Sequence, residues 1–149
     1  MREILFKAKR VDNGEWVEGL LWKKKYNDGN RIFISCFPDK DDNEEVYVVC
    51  PETVSQFTGL HDTNGKRIFE GDIVANWDYY EEKIGKYRGV ILYGILNCGC
   101  CYSVYGFSAC DKYGNAVDEV SLHGNENCAE RAVVIGNHFD NPELLEQKR

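Results

Sequence analysis

Apolar and charged residues alternate from the start of the chain, where Ile4, Phe6 and Ala8 are interleaved with charged or larger neighbours. A period of two sends successive side chains to opposite faces of a strand. "VDNGEW" then centres a hairpin turn on Asn13-Gly14, because Asn and Gly accept the positive φ that such turns need. "WVEGLLW" (Trp16–Trp22) reads as the return strand, and "KKKYNDGN" ends in a second turn at Asp28-Gly29. "RIFISCF" sets Ile32, Ile34 and Cys36 against Phe33, Ser35 and Phe37, again with period two. "PDKDDNEE" has no hydrophobic anchor and lacks the glycine and spacing of a calcium loop, so it reads as a solvated connection. After the strand "EVYVVC" comes Pro51, which cannot donate to a sheet ladder and marks a boundary.

The second half repeats the strand signal in "DIVANW", "RGVILYGIL", "CYSVYGF" and "RAVVIG". Val90–Leu96 is apolar without alternation, which predicts a strand covered on both faces. "YYEEKIGK" fits either a loop or one helical turn. Only the end is helical in character. Asn141 can cap, Pro142 suits the first helical position, and Glu143 meets the positive end of the dipole, predicting a short helix from Pro142 to about Glu146. The expectation is one all-β domain over 1–149, with β subdomains 1–57 and 58–149 and a short C-terminal helix.

Composition narrows the function classes. The 149 residues are 43% hydrophobic, with 9 Tyr, 7 Phe and 3 Trp, which favours strands and a packed core. The net charge of −7 repels phosphate backbones, although Lys23-Lys24-Lys25 leaves a local basic face open. "MREILFKAKR" is not a signal peptide, and "GVILYGIL" is far shorter than the ~20 residues of a membrane-spanning helix. A cytoplasmic protein with mostly reduced cysteines is expected. Trp16, Trp22, Trp77 and the tyrosines of 90–107 exceed what a small core easily hides, so a homo-oligomer is expected.

"TGLHDTNGKRIFEGDIV" (Thr58–Val74) packs two corners into one run. Asn64-Gly65 supplies a tight reversal, and Gly71 after Glu70 a second. Asp62 and Asp72 can bond nearby backbone in such turns. The rival reading makes Asp62, Glu70 and Asp72 a carboxylate cluster for metal or acid/base work. His61, however, has no Ser or Cys at a spacing that implies a nucleophile–base pair. Asp62, Asn64, Gly65, Gly71 and Asp72 are therefore read as turn residues, and no catalytic residue is assigned.

"CPETVSQFTGLHDTNGKRIFEGDIV" (Cys50–Val74) and "VIGNHFDNPELLE" (Val134–Glu146), with the short "REILFKAKR" near the start, resemble the YopX family of phage and prophage proteins. The resemblance implies a mostly β protein encoded by a phage or prophage. The family is largely without an assigned activity, so no catalytic residues carry over. The second subdomain is expected to resemble a small SH3-like barrel, with Thr58–Val74 as its corner.

"NCGCCYSVYGFSAC" lies outside those blocks. Cys98 and Cys101 have the C-x-x-C spacing of a zinc knuckle, and a second pair would have to come from Cys110, His123 and Cys128. A redox site needs C-x-x-C at a helix start in a βαβ unit, and no such unit is visible. Buried reduced thiols are the plainer reading, so no cofactor is expected. Tyr93, Tyr102, Tyr105 and Phe107 could stack single-stranded bases, but Val90–Phe107 carries no Lys or Arg, and core packing fits them better. The combined reading is a non-catalytic accessory protein that binds itself or a phage or host protein. A zinc or redox protein and a single-strand nucleic-acid binder are the alternatives.

Overall fold

The computed structural model describes residues 3–37, 43–97, 103–120, 122 and 132–146. The chain divides into two compact units, Met1–Phe57 and Thr58–Arg149. In the first, β1 (Phe6–Lys9), β2 (Trp16–Tyr26), β3 (Gly29–Cys36), β4 (Glu45–Val48) and the start of β5 (Ser55–His61) form an antiparallel sheet in the order β4-β3-β2-β1-β5. Gly14 at φ 71° and Gly29 at φ 131° lie in the β1–β2 and β2–β3 turns, where glycine escapes the steric cost of a Cβ. Register sorts the faces. Ala8, Ile34 and Val49 form one buried cluster, joined by Phe6, Val17 and Leu21. Leu20 and Trp22 alternate with those inward residues of β2 and lie on the other face, opposite Ser35 and Phe33.

In the second unit β5 ends at His61 and turns into β6 (Arg67–Phe69). A four-stranded sheet follows, ordered β10-β7-β8-β9, from β7 (Asp72–Asp78), β8 (Lys83–Asn97), β9 (Ser103–Cys110) and β10 (Ala132–Asn137). All its pairings are antiparallel. Its core joins Ile68, Val74, Ile91, Ala109, Val120 and Ala132.

Three expectations change here. The all-β class holds, but this sheet is open, with β10 and β9 at its edges, so among the described residues no SH3-like barrel closes. The strand covered on both faces is β7, whose Ile73, Val74 and Ala75 are all buried. Among the described side chains of β8, Val90 and Ile91 are buried, while Leu92 and Tyr93 are exposed. Both are inner strands, so what differs is what packs on their faces, which a strand's own composition does not disclose. The C-terminal helix is a single 3-10 turn, Pro142–Leu145. Asn141 makes no cap bond to it; its Oδ1 instead accepts from Asn137 N at 3.3 Å. A side chain spent on the preceding strand cannot hold the first turn of a longer helix.

Candidate functional site

The hairpin between β5 and β6 closes on itself first. Asp62 N donates to Lys66 O at 2.7 Å and Gly65 N to Asp62 O at 3.0 Å, with Gly65 at φ 81°. The Asp62 side chain, 1% exposed, then takes up the amides that the turn leaves over. Its Oδ1 accepts from Asn64 N at 2.9 Å and Lys66 N at 2.8 Å. Its Oδ2 accepts from Val134 N at 3.0 Å, across to β10. Thr63 N donates to Ala132 O at 3.0 Å beside it. Asp62 therefore bolts a turn to a strand 72 residues away. Charge-assisted bonds of this kind are stronger than neutral ones.

The second corner repeats the device. Gly71 stands at φ 85°, its N donates to Ile91 O at 2.8 Å, and its O accepts from His138 N at 2.9 Å. His138 Nδ1 lies 3.0 Å from the same oxygen, which requires the Nδ1–H form. Asp72, also buried, accepts from Phe69 N at 2.9 Å, bonding back across the corner. Asn137 Oδ1 accepts from Phe139 N and Asp140 N at 3.0 and 2.9 Å, shaping the exit from β10. The structure thus joins Asp62, Asn64, Gly65, Gly71 and Asp72 to Asn137 and His138. Sequence reasoning missed the last two. Their only signal was "GNHFDN", a cluster of turn-forming polar residues after a strand.

The other candidates separate. Among the described residues no three His, Cys, Asp or Glu side chains are grouped to hold a metal ion. Cys98, Cys101, His123 and Cys128 lie outside the described residues. Cys110 is a buried free thiol on β9, and Cys36 and Cys50 are half-buried free thiols. Burial, then the nearby Asp111 carboxylate, pushes the Cys110 thiol above the usual cysteine range. Burial, then Glu45, does the same to Cys36. Raised thiols are poor nucleophiles. Tyr93 and Phe107 meet with ring centroids 4.8 Å apart, while Tyr102 and the Tyr105 side chain lie outside the described residues. Cation-bearing aromatics occur in both units: Lys7 and Lys9 sit over Trp16, Arg10 over Tyr47, and Lys24 and Arg31 over Tyr26 in the first, Lys86 over Tyr87 and Lys112 over Tyr113 in the second. Among the described residues no helix is long and apolar enough to cross a membrane.

Fold and corner together define a two-unit, all-β protein whose second unit is locked by buried carboxylate–amide bonds. The chain belongs to the YopX protein family, whose model matches residues 5–146. It is similar in fold to the crystal structure of protein EF1440 from Enterococcus faecalis, with 23% identity and a TM-score of 0.50, over 98% of this chain and 100% of that one. No curated protein matches.

Proposed function

We infer that this is a phage- or prophage-encoded accessory protein, working in the cytoplasm by binding rather than by catalysis, and that it self-associates. The observation that carries the binding reading is the outer face of the first sheet. Leu20 is 51% exposed, Val46 44%, and Trp22 and Val48 39% each, on β2 and β4, which flank β3 and align across its Ser35 and Phe33. Scattered exposed apolar residues are ordinary, but a contiguous patch marks an interaction surface. The patch is also held in shape. Trp22 stacks on Phe33 with centroids 4.3 Å apart and planes 12° apart, and its Nε1 donates to Ser35 Oγ at 2.8 Å. A rigid aromatic anchor loses little entropy on binding. Symmetric pairing of this face with a second copy is the commonest use of such a surface in soluble proteins; a phage or host protein is the other occupant.

Light scattering at micromolar concentration tests it. The native chain gives a multiple of 17.1 kDa, and Leu20→Lys, placing a charge on an exposed position, shifts the mass toward 17.1 kDa. A native mass of 17.1 kDa at every dilution overturns self-association.

A further inference from the structure

The β7–β8 hairpin of the second unit carries a separate feature. Beside it lies a cleft of about 380 Å³ lined by Asn76, Trp77, Asp78, Tyr79, Tyr80, Tyr87 and Glu119. Four aromatic rings and two carboxylates therefore border one space; Lys86 Nζ already covers the Tyr87 ring, 5.1 Å from its centroid, which leaves Trp77, Tyr79 and Tyr80. Its walls are fixed by bonds that do not depend on a ligand. Asp78 Oδ1 accepts from Tyr80 N and Glu81 N at 2.9 and 3.2 Å, closing the turn. Asn76 Oδ1 accepts from Tyr87 N at 3.0 Å where the register shifts between Ala75 and Trp77. The Asn76 side chain lies against Gly85, in the space that a Cβ there would need. Glu119 belongs to the 3-10 turn Asp118–Val120, and that turn is anchored by the fully buried Val120. Tyr80, by contrast, is completely exposed, and Tyr79 is 60% exposed. The turn also holds Glu82 at φ 48°, a left-handed conformation costly for a residue with a Cβ.

We propose that this cleft binds the cationic side chain of a basic peptide segment on a partner polypeptide. Aromatic faces carry negative quadrupole potential and attract organic cations, and flanking carboxylates add direct charge complementarity. A neutral apolar ligand would gain from the rings but make no use of the negative charge of Asp78 and the exposed Glu119. An anionic ligand would be repelled. The site lies apart from the outer face of the first sheet, and the proposal does not rest on self-association.

The test titrates the full chain with acetyl-Gly-Arg-Gly-amide and its lysine counterpart, with citrulline and norleucine peptides as neutral isosteres. The Trp77 indole resonance, assigned by its loss in Trp77→Phe, reports binding. The arginine or lysine peptide moves that resonance, and the neutral isosteres bind about tenfold more weakly, the size of a ~1.4 kcal/mol cation–π and charge contribution. The two cationic arms show which head group is preferred. Tyr80→Ala and Glu119→Gln, both at exposed positions, each weaken binding severalfold, and Glu119→Gln also flattens its salt dependence. Equal affinity for the citrulline peptide, unchanged affinity in Tyr80→Ala, or no movement of Trp77 with any peptide at millimolar concentration overturns the proposal.

Discussion

Asp62 does more than shape its own turn. In Asp62→Asn the amide oxygen can still accept from Asn64 N and Lys66 N, but the NH₂ group then faces Val134 N–H, donor against donor. An unsatisfied buried donor costs about 1–3 kcal/mol, so Asp62→Asn lowers unfolding stability by that amount in urea titration. A change below a few tenths of a kcal/mol would mean that the β10 bond contributes nothing. Gly71 faces two separate penalties. At φ 85° any Cβ is strained, and the added atom would stand 2.8 Å from the His138 ring. Gly71→Ala therefore costs more than the ~1 kcal/mol of the backbone conformation alone. A double-mutant cycle with His138→Ala, an exposed side chain, recovers the steric part and leaves the backbone part. Strict additivity would show that the ring gives way freely.

At the scale of elements, β2 shows how one residue protects a pairing. Gly19 sits on the inward face opposite Phe6, and a Cβ there would run into the backbone carbonyl of Ser35 on β3. Backbone in a ladder cannot step aside as a flexible side chain can. Gly19→Ala consequently disrupts the β2–β3 ladder and destabilises the first unit by more than the ~1 kcal/mol that separates ordinary strand residues in propensity. Amide exchange at β2 and β3 reports it: protection falls there first, whereas unchanged protection would show that the strands re-register at no cost. The β7–β8 pair uses glycine differently. Gly85 leaves room for Asn76, whose side chain accepts from Tyr87 N at the register shift beside Trp77, a residue of the cleft lining.

For the whole molecule, charge and apolar surface point to different kinds of contact. The chain carries a net −7, which keeps it dispersed, while the outer face of the first sheet presents Leu20, Trp22, Val46 and Val48 to solvent. If that face joins copies, the association is driven by apolar burial and is no weaker in 1 M than in 0.1 M sodium chloride, because salt screens charges but does not weaken the hydrophobic effect. Cation recognition at the β7–β8 cleft, by contrast, weakens across the same range. A self-association that salt abolishes would place the contact on charged side chains instead.

Much of the local structure was determined by the sequence alone. Asn13-Gly14 and Asp28-Gly29 announce hairpin turns because positive φ is a property of single residues, and the period-two runs in β1 and β3 announce strands because the pleat has that period. The all-β class followed from the same readable features, whereas the YopX resemblance rests on the wording of Cys50–Val74 and Val134–Glu146. Tertiary structure decided the rest. Nothing near Asp62 in sequence says that its second oxygen is reserved for Val134, and nothing in "GNHFDN" says that His138 closes on Gly71. Composition made Val90–Leu96 look doubly covered, yet of the two inner strands it is β7 whose Ile73, Val74 and Ala75 are all buried, because burial is set by what packs on each face. The open sheet, the half-exposed Trp22 and the aromatic cleft at Trp77 likewise depend on distant strands. Periodicity and turn chemistry act over a few residues and can be read directly; burial and long-range hydrogen bonds act between segments, and only the folded chain brings those together.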